Sequence, residues 1–498
     1  MRFLINLRTV IHSAVGIFSY ICILTVLAQT WHMVFRTYVV LALSGVFVYL
    51  ICIYTVRQRW KVVDLPFFGS SVPHIPRWHV RSVIGISVLY GIISVIFVRP
   101  NPDDYYAYSN AFFAVAHPDL LMSFDIHSIL PLDTPFHSVR WDTSGPYEYF
   151  VAALAHTMPI PFLSWTYIYA SFFNGVSFAI VLYYSIVILT GTFRSAFHGF
   201  IVVAFMLLVL GVSDYSPLHH TLLRFSQDDA VFYAVGVPLF LVESYILLRS
   251  PRLRNMVIVS STMIAAVSLT TSGYLLVLLM NCIVMVAIFS FVTYERLAHP
   301  QWILLWINAS AVRLSMLLCS ALPVIGYWVF LLRTPTNTPP TALFRNTELP
   351  VDMWGQAGMF LSAYVPVTAI DLIIAFILAG FVLPPPLRRM VILFYAVLTL
   401  GYLNPLTASS FILSSTQPTT SAGVFYLAVP LVFIGVIVAS VSKNVRRRVP
   451  RWRNVITTTM LLGNMVLLID APSSLFHQTQ EFSLKRVREY GFAQALWN

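Results

Sequence analysis

The chain has 498 residues, of which 58% are hydrophobic and 10% charged, and its mean hydropathy is +0.80. Soluble domains carry about 25% charged residues, so this composition excludes a soluble globular protein as the main body of the chain. The net charge of +11 comes from basic residues in short segments between apolar runs, which is typical of cytoplasmic loops rather than of a nucleic-acid interface. We therefore expect an integral membrane protein whose partners include membrane lipids and no nucleic acid.

Apolar runs recur along the whole chain, and each is near the roughly 20 residues that a helix needs to cross a bilayer. They predict an all-α, polytopic bundle of about thirteen transmembrane helices over residues 1–470, followed by an external tail over 471–498. The main basic clusters between the runs fall on one side, which we assign to the cytoplasm. The predicted spans are 10–28, 36–56, 82–99, 162–190, 199–213, 229–249, 255–270, 273–293, 312–332, 356–382, 390–404, 422–442 and 454–470.

Long polar segments on the opposite side are where aqueous chemistry is expected. They cover residues 100–161, 212–228, 333–355 and 405–421. The first of these loops is the longest, and loops of such length in a compact domain are usually functional or structured. Within it, residues 146–157 predict an amphipathic helix lying along the membrane interface, with Pro146 in its first turn and Glu148 near its positive end.

An adjacent acid pair, Asp103 and Asp104, opens this loop directly after the third predicted span. Two neighbouring carboxylates at a membrane boundary repel each other, and partial burial makes one of them a better proton acceptor, as a general base requires. The pair would equally suit a divalent ion, so Mg²⁺ or Mn²⁺ is an open alternative as cofactor. A solvated loop start, with the acids near a helix N-terminus, is the purely structural reading.

A second polar group lies just before the sixth predicted span. It combines two imidazoles, His219 and His220, with Arg224 and a second acid pair, Asp228 and Asp229. These side chains suit a phosphate, a metal or a sugar hydroxyl, although capping of the following helix explains part of the pattern. Adjacent histidines point apart on a helix, so a two-histidine zinc site is disfavoured.

Further cations and aromatic residues are expected on the same external face. Arg140 and Arg345 could grip a phosphate through parallel hydrogen bonds, whereas snorkelling to the interface is the structural alternative. Sugar rings could stack on one of four tryptophans, although tryptophan belts at membrane interfaces are the default explanation. They are Trp141, Trp165, Trp328 and Trp354.

The many helices and the long first external loop resemble those of the GT-C superfamily of membrane glycosyltransferases. The resemblance rests on the run from Asn101 to Tyr106, which contains the acid pair, and on the amphipathic stretch from Trp141 to Tyr149. It implies that Asp103 or Asp104 is the catalytic base and that the donor is a polyprenyl-phosphate sugar. The chain departs from the usual family pattern because two extra helices precede the span that leads into the acidic loop.

This resemblance also implies a glycan, lipid or protein acceptor and an active site on the external face. We therefore expect the protein in a bacterial inner membrane, with its site facing the periplasm and a role in building envelope polysaccharides. The expected substrate-binding residues are Tyr105, Arg140, Glu148, His219, His220, Arg224, Asp228, Asp229 and Arg345.

Three alternatives to this function stay open. A polysaccharide polymerase or ligase would use the external arginines and histidines. A transporter or flippase of lipid-linked sugars would use Asp371 and Arg313, which lie in or near apolar spans. A noncatalytic membrane subunit would leave the acid pair exposed to bulk solvent, away from any cavity.

Overall fold

A computed structural model describes residues 2–57, 76–98, 102–119, 121–122, 145–158, 160–210, 231–269, 303–333 and 429–448, and a few positions from 383 to 392. These residues are almost entirely helical, and no β-strand occurs among them. The helices are α1 (Arg2–Thr30), α2 (Phe35–Arg57), α3 (Arg77–Phe97), α4 (Pro102–Ala116), α5 (Pro146–Thr157), α6 (Phe162–Thr190), α7 (Phe193–Leu210), α8 (Phe232–Gly236 continuing as Val237–Arg249), α9 (Leu253–Ser268), α10 (Ile303–Arg333) and α11 (Val429–Arg448).

Four of the described helices, α1, α2, α3 and α6, are long and apolar enough to cross a membrane. The predicted spans that fall on described residues are almost entirely helical, but α1, α3, α7 and α10 begin five or more residues earlier than predicted, at Arg2, Arg77, Phe193 and Ile303. The residues between these starts and the predicted spans include polar or charged side chains, such as Arg8, Arg81, Arg194 and Asn308, which a hydropathy window leaves out. The predicted spans 273–293, 356–382 and 454–470 lie outside the described residues, so the total of about thirteen stays a prediction.

Side-chain contacts establish which helix ends lie together. His79, near the start of α3, is 2.9 Å from the hydroxyl of Tyr183, near the end of α6. His198, near the start of α7, is likewise 2.9 Å from the hydroxyl of Ser442, near the end of α11. Helices α3 and α6 therefore run antiparallel, as do α7 and α11. The contact of Glu243 with Tyr184 places the end of α8, at Arg249, at the same end of the bundle. We call it the basic end, and the positive-inside rule predicts that it faces the cytoplasm.

Helices α3 and α6 pack with their backbones unusually close at Gly175. A Cβ atom placed on Gly175 would lie 2.7 Å from the carbonyl oxygen of Tyr90 and closer still to the hydroxyl oxygen of Ser94. Glycine is therefore required here by the space between the two helices. This contact fixes the pair of spans that flanks α4 and α5 in the chain.

Substitution of Gly175 by alanine is expected to lower the free energy of unfolding by about 1–3 kcal/mol, because a backbone carbonyl cannot move aside as a flexible side chain does. The matched control is Gly85→Ala in α3, where an added Cβ meets no atom within 4 Å. That control should be neutral or stabilising by up to about 1 kcal/mol, since alanine favours helix. Unfolding of both variants in detergent micelles measures the difference, and equal stabilities would contradict the close packing.

Candidate functional site

The predicted acid pair lies in the first turn of α4. Pro102 is the first residue of this helix, and Asp103, Asp104 and Tyr105 follow it directly. Proline is suited to the first helical position, and carboxylates are stabilised near the positive end of a helix. Part of the predicted loop is therefore helical, and the helix start accounts for the position of the acids without deciding their role.

The helix predicted over 146–157 is present as α5, with Pro146 as its first residue and Glu148 in its first turn. Its position along the membrane interface stays a prediction. Glu148 is only 1% exposed, so its carboxylate is enclosed by protein rather than by bulk water. The apolar residues of α5 pack against α1, α2 and α4. Helix α5 thus forms part of the protein interior directly beside the helix that begins with the acid pair.

A buried hydrogen bond joins α5 to α6. The side-chain amide of Asn174 donates to the hydroxyl of Tyr147 over 2.8 Å. Asn174 is one residue before Gly175, where α6 meets α3. The position of α5 is therefore tied to the tightest contact between the two flanking spans.

Helices α1 and α2 are hydrogen-bonded, through the turn between them, to the connection that follows α4. The backbone N–H of Arg36 donates to the carbonyl oxygen of Pro118 over 2.9 Å, and the N–H of Met122 donates to the carbonyl of Met33 over 2.8 Å. An exposed ion pair between Arg36 and Asp119, at 3.6 Å, adds little in water. The turn between α1 and α2 therefore lies at the same end of the bundle as α4 and α5, opposite the basic end.

Two π-helical segments begin spans at this opposite end. They are Trp165–Ala170 in α6 and Phe232–Gly236 in α8. π-Helical turns are rare and are frequent at functional sites, because they shift side chains out of the α-helical register. The first segment packs against α5. Polar groups buried near α4 and α5 include Asn110, Glu148, Thr166, Ser171 and Asn174.

A buried charged cluster at the basic end was not predicted as a site. The carboxylate of Glu243 in α8 is 1% exposed and accepts a hydrogen bond from the Tyr184 hydroxyl over 2.7 Å. It also lies 3.1 Å from His12 Nε2 and 3.5 Å from Arg8 Nη2, both in α1. Arg254, at the start of α9, interacts electrostatically with this group. The cluster joins α1 to α6 and α8, far from the acid pair.

The remaining predicted site residues lie outside the described residues. They are Arg140, His219, His220, Arg224, Asp228, Asp229 and Arg345. Among the described residues, no group of three or more His, Cys, Asp or Glu side chains is placed to hold a metal ion. The expectation of Mg²⁺ or Mn²⁺ at the acid pairs therefore stays a prediction.

Searches against protein-family models, curated proteins and solved structures found no match to this chain. The function must therefore be inferred from the residues and geometry of the chain itself, together with the sequence resemblance to the GT-C superfamily. Two places in the described structure bear on it: the end that carries α4 and α5, and the charged cluster around Glu243 at the basic end.

Proposed function

We propose that the protein is a membrane glycosyltransferase that moves a sugar from a polyprenyl-phosphate donor to a glycan, lipid or protein acceptor on the non-cytoplasmic face. The order of elements carries the proposal: span α3, acidic helix α4, buried helix α5 and span α6 follow one another along the chain. Helices α3 and α6 pack together, and α4 and α5 lie at their common end, opposite the basic end. This order matches what the GT-C resemblance implies for a loop that carries the catalytic base.

The chemistry would need a base, charge stabilisation and positioning. Asp103 or Asp104 would take the proton of the acceptor hydroxyl while the hydroxyl oxygen forms a bond to the anomeric carbon of the donor sugar. The bond from that carbon to the donor phosphate breaks, and the phosphate leaves with the electron pair. Arg224 or Arg345 would stabilise the charge that develops on it. Phosphate is a competent leaving group, so binding and orientation supply much of the remaining acceleration without ATP.

The experiment is a transfer assay on the purified protein in proteoliposomes, with a panel of labelled polyprenyl-phosphate monosaccharides and candidate acceptors. We expect transfer with the wild type and its loss in Asp103→Asn, Asp104→Asn or both. Asp119→Asn is the control, because Asp119 follows α4 in the same connection and is 78% exposed. Wild-type rates in both single variants and in the double variant would overturn the assignment of the base.

A transporter or flippase of lipid-linked sugars is the second candidate, and the charged cluster around Glu243 favours it. Ionisable groups inside a membrane domain often mark a path for ions or substrates. Of the two residues that the sequence suggests for this role, Arg313 is half-buried in α10, and Asp371 lies outside the described residues. A glycosyltransferase should retain sugar transfer when Arg8 and Glu243 are jointly replaced by Met and Leu. The transporter would be supported if the wild type flips a labelled donor lipid and transfers no sugar, and if the double variant no longer flips that lipid.

A further inference from the structure

The indole of Trp165 is a buried donor at the start of α6. Trp165 is 9% exposed, and its Nε1 atom is buried without a hydrogen-bond acceptor among the described residues. Tryptophan has one side-chain donor and no acceptor, and a buried indole N–H usually finds a partner. An interfacial belt tryptophan would instead keep this N–H among headgroups and water. The belt explanation therefore does not account for Trp165.

The position of Trp165 relates it to the acidic helix. Trp165 is the first residue of the π-helical segment, and its ring packs against Tyr169 with centroids 5.0 Å apart. Phe162, one turn earlier, contacts the rings of Tyr108 and Phe112 of α4, each with centroids 5.9 Å apart. The same segment also packs against α5, so the part of α6 that begins at Phe162 and contains Trp165 borders both α4 and α5.

We infer that the indole N–H of Trp165 donates a hydrogen bond to an oxygen of the bound lipid-linked donor, in its phosphate or its sugar. The inference rests on the proposed function and adds a substrate-binding residue to it. A buried N–H donor without an acceptor destabilises a fold. The buried N–H of Trp165 is accounted for if the bound substrate supplies the acceptor. A phosphate oxygen would give the stronger bond, because it carries charge.

The test compares the wild type with Trp165→Phe, which keeps an aromatic ring and removes the N–H. We expect the apparent affinity for a polyprenyl-phosphate monosaccharide to fall about tenfold, the usual effect of one lost hydrogen bond. Trp78→Phe is the control, since Trp78 is 60% exposed and lies at the basic end. If Trp165→Phe does not fold, 3-benzothienylalanine at position 165 removes the N–H with almost no change of shape.

A competition experiment identifies the acceptor oxygen. Polyprenyl phosphate without a sugar serves as the competitor in binding assays on both proteins. If the N–H meets the phosphate, the affinity for this competitor falls as much as that for the donor. If it meets the sugar, only the affinity for the donor falls. Equal affinities of wild type and variant for both lipids would overturn the inference.

Binding and turnover separate this inference from the proposed function. Sugar transfer by the wild type with an unchanged donor affinity in Trp165→Phe would overturn the role of Trp165 alone. If donor binding weakens in Trp165→Phe but the wild type transfers no sugar, the glycosyltransferase proposal is overturned and the contact between Trp165 and the lipid is retained. A wild type that binds neither lipid would overturn both.

Discussion

Replacing Glu243 with alanine is expected to lower the free energy of unfolding by about 3–5 kcal/mol, because it leaves the buried guanidinium of Arg8 without its counter-charge. The carboxylate of Glu243 receives donors from two other helices, with Tyr184 at 2.7 Å, His12 at 3.1 Å and Arg8 at 3.5 Å. Arg8 and Glu243 are 5% and 1% exposed, so water cannot compensate for the loss.

Joint replacement by Arg8→Met and Glu243→Leu should recover most of this stability, since apolar residues of similar size often replace a buried ion pair without loss. The measurement is unfolding in detergent micelles, analysed as a double-mutant cycle. Asp119→Ala is the matched control, because its ion pair with Arg36 is exposed on both sides and is worth at most about 1 kcal/mol. A loss no larger for Glu243→Ala than for Asp119→Ala would contradict a structural role of the cluster.

The cluster around Glu243 also marks a limit of sequence analysis. Apolar runs predict helices because hydropathy and helical length are local properties, and the described spans are helical accordingly. Arg8 and Glu243 are separated by 235 residues, and each stands in or beside an apolar run without a neighbour of opposite charge. Only the packing of α1 against α8 and α6 brings them together. The available signal was an acid inside one predicted span, Glu243, and a base two residues before another, Arg8.

The candidate site was partly predictable because helix starts, like apolar runs, are local patterns in the sequence. Pro146 and Glu148 follow the pattern of a helix start, and α5 begins where that pattern predicts. The run of Pro102 with Asp103 and Asp104 has a similar pattern, although the segment was predicted as a loop. The π-helical turn that begins at Trp165 was not predictable, since its hydrogen-bond register depends on how α5 and α6 pack.

The attachment of α1 and α2 to the region around α4 likewise required the structure. Their turn bonds to the backbone at Pro118 and Met122, just after α4, through carbonyl and N–H groups that any residue provides. Backbone bonds of this kind leave no compositional trace. Helices α1 and α2 are thus part of the setting of the acidic helix, whereas the sequence presented them only as a departure from the pattern of the superfamily that it resembles.

Asp103→Asn and Asp104→Asn are expected to reduce sugar transfer unequally. The two residues are consecutive in the first turn of α4, so their positions lie about 100° apart around the helix axis. If one carboxylate accepts the proton of the acceptor hydroxyl, its amide variant should lose about 10²–10⁴-fold in kcat, the usual contribution of a general base. The other variant should change KM more than kcat, because its carboxylate would bind substrate or a metal without taking the proton.

Kinetics across donor and acceptor concentrations separate these two roles. A group that acts only in the transition state lowers kcat and kcat/KM together, whereas a group that binds substrate uniformly raises KM alone. Addition of Mg²⁺ or Mn²⁺ to each variant then distinguishes a metal ligand from a base, because excess metal can restore a weakened metal site but cannot replace a proton acceptor. Equal losses in kcat for both single variants, with metal dependence in the wild type, would favour joint metal binding by the acid pair over a single catalytic base.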